Sequence, residues 1–310
     1  MATSSQYPPF MQNSHDDGSN AAIQVLLGFI CMWEILYRGL GYLMQKVLTR
    51  YPKQIFDSSL LKEEGKSSDT NGSGINLSSP LGDAMHTLIQ RGPSYAVSLL
   101  HSTYITGRGV MHIYNLWDAS NFDKLFIPGK EVMDSYRWAH LQVATTNTLF
   151  SAYLVYDLFH ILGQYPRLGG VDTILHHVLF ACCSFINGTY GLMAFQFGWL
   201  AVGELSTVFL NIRWFMLKSG REKSALLNKI NVLFAAMFFL TRIGIYTAGI
   251  VHLFYYSAME LQSLPEHSGV PIPLLIMTCG CMLLGWALNT VWGYKILQMM
   301  GSKPKKIKEN

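Results

Sequence analysis

The sequence predicts an all-α fold: a polytopic membrane helix bundle of about seven spans. Two observations carry this. Only 14% of the 310 residues are charged, against about 25% in soluble domains. The apolar residues, half of the chain, fall in blocks separated by short polar stretches, and the mean hydropathy is +0.23. Blocks of about 20 apolar residues suit a bilayer core.

Taken in order, residues 1–20 carry Pro, Ser, Asn and Gly and read as a disordered tail. A first span is expected over 21–46. Residues 47–85 read as a polar loop, with linker composition over 62–80. Further spans are expected over 93–116, 139–162, 171–188, 191–217, 227–256 and 271–298, and residues 299–310 form a basic tail. The fourth of the seven is short for a bilayer. Gly169-Gly170 and Asn187-Gly188 mark expected turns between the third, fourth and fifth spans. Cys31, Cys182, Cys183, Cys279 and Cys281 all lie in apolar segments, with neither disulfide nor zinc spacing. The basic residues sit at span ends rather than on one face, which argues against nucleic acid. No basic region precedes the first apolar run, so a cleaved leader is not expected.

Charge asymmetry orients the bundle. With the N-terminus lumenal, the cytosolic segments hold fourteen Lys and Arg residues and the lumenal ones only Lys124, Lys130 and Arg137. The C-terminus is then cytosolic. Lys306 and Lys308 stand five and three places from the end, a spacing that resembles the dilysine retrieval signal of the endoplasmic reticulum. The plainer alternative is a basic flank of the last span. The sequons at Asn71, Asn76 and Asn187 read as chance matches in this topology.

Ionisable groups inside spans are costly and mark sites or pathways. Asp157 and His160 close the third span. His176 and His177 lie about 8–9 Å into the fourth, and His101 about 12 Å into the second. Glu204, Asn211 and Arg213 descend the fifth, Arg242 stands in the sixth, and Asn289 adds a weaker polar group to the seventh. Adjacent helical positions are about 100° apart, so one histidine is expected to face the interior and the other a neighbouring helix. Imidazole suits acid–base or covalent acyl chemistry, and Asp157 suits an orienting role. Arg213 or Arg242 can pair with Glu204 or hold an anionic headgroup. The structural alternative is that these groups only hold the helices together. A metal site of His160, His176 or His177 and Glu204 has a weak pattern, because Thr173 occupies the place where an HxxHH motif needs its first histidine.

Five motifs in order resemble a known family: Ser98-Leu-Leu-His101, Tyr156-Asp157-Leu158, Leu175-His176-His177, the stretch from Glu204 through Asn211 to Arg213-Trp-Phe, and Phe238-Phe-Leu-Thr-Arg242. This is the TLC-domain family, which includes the ceramide synthases, and the resemblance covers about residues 86–298. It is closest to the TLC domain-containing protein 4 subgroup. The resemblance implies a TLC fold around a central lipid-accessible cavity, in the endoplasmic reticulum or related membranes. In the synthases a histidine pair catalyses acyl transfer from acyl-CoA to a sphingoid base, which implies a catalytic role for His176 and His177. The chain departs from the synthases where Glu204-Leu-Ser-Thr replaces their His-Asp…Asp element, and it lacks their longer motif around the histidines.

The resulting expectation is a membrane protein of lipid homeostasis. His176, His177 and Asp157 are its candidate catalytic residues. His101, His160, Glu204, Asn211, Arg213 and Arg242 are its candidate lipid-contacting residues. No cofactor is expected beyond acyl-CoA as co-substrate, and a sphingolipid is among the candidate ligands. The alternative is a non-catalytic lipid- or cargo-binding protein with structural histidines. The orientation has a direct test. Protease added to sealed microsomes should remove a C-terminal tag and cut within residues 62–80; a protected tag overturns the orientation.

Overall fold

The computed structural model describes residues 17–67, 79–118 and 134–301. Of the expected tails, residues 1–16 and 302–310 lie outside these, as do Asn71 and Asn76. The described residues form helices and no strand. They are α1 (Asp17–Arg50), α2 (Pro52–Ile55), α3 (Ser58–Ser67), α4 (Pro80–Asp118), α5 (Asp134–Gly163), α6 (Val171–Tyr190), α7 (Ala194–Val202), α8 (Leu205–Lys218), α9 (Ala225–Met237), α10 (Tyr246–Val251), α11 (Ala258–Ser268) and α12 (Ile272–Gly301). A π-helical stretch, Phe238–Ile245, joins α9 to α10, and a second, His252–Tyr256, continues α10, so that together they form one long rod.

Among the described residues, five helical stretches are long and apolar enough to cross a bilayer: Ala22–Arg50, Val171–Tyr190, Ala194–Lys218, Ala225–Tyr255 and Ile272–Gly301. The protein is therefore a multispan membrane helix bundle. The other two expected spans lie in α4 and α5, of 39 and 30 residues. Their lower apolarity has a structural cause, because both face inward with polar side chains. Ser94, His101, Ser102 and His112 are buried on α4, and Thr146, Asn147, Thr148 and Ser151 on α5.

Six spans close into a ring. α4 packs on α5, α5 on α6, α6 on α12, α12 on the first π-helical stretch and α10, the rod on α8, and α7 and α8 back on α4. α1 stands outside the ring against α4 and α5. Only 6% of its most apolar window is buried, as fits a rim helix facing lipid. One half of the ring interior is filled by a core that includes Met193, Phe195, Phe197, Trp199, Tyr246, Leu253 and Met282. The other half, where α6 begins and α8 and α12 end, remains hollow.

Three local expectations need correction. Residues 47–85 are not simply a polar loop. The end of α1, with α2, α3 and the first turns of α4, buries Leu48, Phe56, Leu81, Met85 and Leu88 against Trp214 and Phe215 of α8. These apolar residues stand far apart in the chain, so no local pattern marks them. Gly188 is not a turn. It lies inside α6, where a Cβ would meet Asn147 Nδ2 at 2.8 Å, and the chain reverses instead at Gly191, whose φ is 65°. The fifth span is broken. α7 ends at Val202, and Gly203 and Glu204 form tight turns onto the Leu200 and Ala201 carbonyls before α8 starts.

The ring needs a close approach of α4 to α7. A Cβ on Gly109 would meet the Gly198 carbonyl oxygen at 2.8 Å and the Ala201 Cβ at 2.9 Å. Small residues allow such contacts between membrane helices. Gly109→Val should therefore push the two helices apart, at a cost of about 1–3 kcal/mol for overpacking. A lowered thermal midpoint in detergent would show it, whereas an unchanged midpoint contradicts this packing.

Candidate functional site

The hollow half of the ring is a cavity of about 730 Å³, within the range of small-molecule sites. Every ring span lines it. α4 supplies Ser98 and His101, α5 Tyr153 and Asp157, α6 Asp172, His176 and His177, α8 Asn211 and Arg213, the rod Asn231 and Arg242, and α12 Trp292 and Lys295. Exposed Met299 and Met300 also border it, so the cavity reaches the surface at the end of α12.

At the mouth, the Asp172 carboxylate fastens α6 to α12. It accepts from Trp292 Nε1 at 3.0 Å and lies 3.5 Å from Lys295 Nζ. Across the mouth, Arg213 Nε donates to Asn231 Oδ1 at 2.8 Å, tying α8 to α9. Arg213 was one of two candidate partners for Glu204; the structure joins it to Asn231 instead.

One turn further in lies the histidine layer. His177 Nε2 is 2.9 Å from Asp157 Oδ2, and His177 Nδ1 is 2.9 Å from the Thr173 carbonyl oxygen. A carbonyl only accepts, so Nδ1 carries a proton. A second proton must then lie between Nε2 and the carboxylate, on either atom. In both forms His177 has no free lone pair. His176 differs. Its Nδ1 is buried without a partner, and among the described residues no hydrogen bond engages its other nitrogen. The two rings stand 5.6 Å apart and nearly perpendicular. His176 leans toward Trp292 of α12, 5.4 Å between centroids. The expectation that only one histidine faces the interior is corrected: the cavity is wide enough for residues about 100° apart to share its wall.

Deeper still, His101 stacks on Tyr153 at 3.5 Å, and Trp33 of α1 meets both rings edge-on at 5.5 Å. The rim helix thus props the cavity wall from outside. Asn211 Nδ2 donates to Ser98 Oγ at 3.0 Å.

Beside this layer Arg242 pairs with Glu204 at 2.8 Å. Arg242 Nε donates to Ser206 Oγ and its Nη2 to Thr207 Oγ1, and the Thr207 hydroxyl donates to the other carboxylate oxygen at 2.8 Å. This closed ring of bonds joins the break before α8 to the π-helical stretch. A π turn inserts an extra residue and re-aims a side chain. Thr241 caps the disturbed turn by donating to the Met237 carbonyl at 2.8 Å.

Of the sequence candidates, His176, His177, Asp157, His101, Glu204, Asn211, Arg213 and Arg242 all line the cavity. His160 does not. It faces Glu34 of α1 at 2.9 Å and packs on Tyr37, because its position on α5 points outward to the rim helix. The metal set that included His160 is accordingly not assembled, and among the described residues no group of three His, Cys, Asp or Glu sits close enough to hold a metal. Sequence reasoning passed over Glu34, Asp172 and Lys295. The signal for Asp172 was an acid four residues before the histidine pair, in the first turn of an apolar helix.

Comparisons with known proteins point to one family. A family model described as the TLC domain matches residues 93–298. TLC domain-containing protein 4-B of Danio rerio is 27% identical over 211 residues, 66% of this chain and 71% of the relative. TLC domain-containing protein 4-B of Xenopus laevis is 31% identical over 176 residues, 54% of this chain and 62% of the relative. TLC domain-containing protein 4 of Xenopus tropicalis is 27% identical over 210 residues, 66% of this chain and 72% of the relative. No solved structure matches the chain.

The Glu204–Arg242 pair yields a stability prediction. Arg242→Met leaves the carboxylate buried without its cation, which should cost about 3–5 kcal/mol. The double variant Glu204→Gln with Arg242→Met should recover most of that loss in thermal unfolding followed by size-exclusion chromatography. Equal loss in the single and double variants would mean that packing, not charge pairing, is what Arg242 contributes.

Proposed function

The chain belongs to the TLC-domain family, and on that premise we propose that it takes a lipid or acyl chain into its ring of spans and transfers an acyl group at the histidine layer. The observation that carries this reading is His176, an imidazole with no hydrogen-bond partner among the described residues, beside a carboxylate-held His177 on the wall of a cavity with a surface mouth. A nucleophile needs a free lone pair, and its neighbour needs to be held in place.

The two steps balance as follows. The His176 lone pair attacks the carbonyl carbon of a thioester such as acyl-CoA. The carbon–sulfur bond breaks, the thiol leaves with the imidazole proton, and an acyl-imidazole remains. The hydroxyl or amine of an acceptor lipid then attacks the same carbon, the carbon–nitrogen bond breaks, and the proton returns to His176. Asp157 and His177 position the α5 and α6 walls around this group. Arg213 and Lys295 at the mouth offer positive charge to an anionic donor, which reaches the site from water. With the C-terminus cytosolic, the mouth opens to the cytosol, where acyl-CoA is found. The lysines at 306 and 308 support residence in the endoplasmic reticulum membrane, and the setting is lipid homeostasis.

A second reading is favoured by a specific observation: His177 is bonded at both nitrogens, as in a structural histidine. In that reading the protein holds lipid or cargo without reacting. The two separate in one experiment, transfer from radiolabelled palmitoyl-CoA into extractable lipid by protein in nanodiscs, joined to lipidomics of cells carrying each variant. For the acyl-transfer reading, His176→Ala should lower transfer by at least about a hundredfold while the protein stays folded. His177→Ala and Asp157→Asn should lower both transfer and thermal stability. Absence of transfer by the wild type, with lipid profiles unchanged in His176→Ala, would leave the binding reading.

A further inference from the structure

We propose that His101 forms an inner subsite for an uncharged hydroxyl group of the bound lipid. The proposal deepens the lipid-binding reading and rests on it, but not on acyl transfer.

His101 is 1% exposed and lines the cavity. Among the described residues neither of its ring nitrogens has a hydrogen-bond partner. Buried polar groups are nearly always bonded, so an imidazole lacking both bonds asks for a partner. Its protein neighbours do not supply one. Tyr153, Phe150 and Trp33 pack on the ring as aromatic rings. Other polar side chains of the cavity wall are already engaged: Ser98 with Asn211, and Ser206 and Thr207 with Arg242. The ring belongs to the cavity wall, and its two nitrogens are covered there, so a partner from the cavity reaches them by a small rotation of the ring.

The chemistry of the partner follows from the surroundings. The charge at this depth is already balanced, Glu204 against Arg242. A ligand ion would add a charge with no counter-ion in a membrane interior, where that is strongly unfavourable. A neutral imidazole offers one donor and one acceptor, and a hydroxyl offers both as well, so it fits either tautomer.

The depth of the subsite adds a constraint. Tyr153, on which His101 stacks, precedes Asp157 by four residues on α5. It therefore lies about 6 Å further from the mouth than the histidine layer, at about 1.5 Å per residue. The lipid must place its hydroxyl one helical turn beyond His177. A chain that enters with its methyl end and carries no hydroxyl leaves His101 unbonded.

The test uses the full chain in nanodiscs, with hexadecan-1-ol and heptadecane as probes of equal length. Bound probe is measured by native mass spectrometry, and the alcohol-to-alkane ratio is compared between proteins, so that partition into the lipid cancels. The wild-type ratio should exceed that of His101→Phe and of His101→Leu by about tenfold, the value of one net hydrogen bond. His101→Gln keeps a donor and an acceptor and should retain most of the preference. His101→Phe, which removes an unbonded polar group and keeps the stack on Tyr153, should unfold no earlier than the wild type.

Equal ratios in the wild type and both apolar variants, with the probes bound, overturn the subsite. Binding of neither probe to the wild type overturns the lipid-binding reading and the subsite with it.

Discussion

Arg242 enters the bundle from a π-helical turn and meets Glu204 at the break between α7 and α8. Two irregular helices thus face each other at one point. In a bilayer, backbone groups freed by a break must be satisfied within the protein, and an ion without a partner is costly. Each irregularity answers the other. The π turn aims the guanidinium, the break presents the carboxylate, and Ser206 and Thr207 complete the remaining bonds. The Gly203 carbonyl at the break accepts from Ser206 at 3.2 Å. Because α8 and the rod are joined here, the ring of six spans closes on this side, and the cavity depends on that closure.

The cavity is graded from its mouth inward. Charged side chains stand at the surface, an imidazole–carboxylate pair lies one turn deeper, and a stacked histidine without polar partners lies beyond that. The far half of the ring is filled by aromatic and aliphatic side chains. Such a gradient suits a molecule with a polar reacting group and a long apolar part. The rim helix α1 adds to the site indirectly. Trp33 braces His101 and Tyr153, and Glu34 takes His160 out of the cavity's reach. Adjacent histidines on one helix end up with different chemistry because α5 supplies a carboxylate on one side of α6 and α12 supplies an indole on the other.

Much of the fold was legible in the chain. Apolar blocks of bilayer length located the helices, and the motif residues at Asp157, His176, His177, Glu204, Asn211 and Arg242 converge on one cavity. That a buried Glu204 and a buried arginine need partners followed from the cost of isolated charge. Other features were hidden for physical reasons. Residues 47–85 read as a polar loop, because Leu48, Phe56 and Leu81 are scattered among polar residues and show no period until a partner helix is known. Gly188 looked like a turn, since glycine serves tight turns and close approaches alike, and only the position of Asn147 decides between them. His160 and Asp157 are three residues apart on the same helix, yet one faces the rim and the other the cavity.

What the sequence by itself determined is what depends on local chemistry and on the bilayer: an all-α membrane bundle, the approximate place of each span, and the set of polar residues too costly to bury without purpose. Tertiary structure decided the partners. Which arginine meets Glu204, which histidine keeps a free nitrogen and which acid closes the mouth all depend on rotation of each helix about its axis and on how far each slides past its neighbour. A shift of one residue turns a helical side chain by about 100°. Those settings come from packing between residues far apart in the chain, such as Gly109 against Gly198 and Trp33 against His101, and no local pattern encodes them.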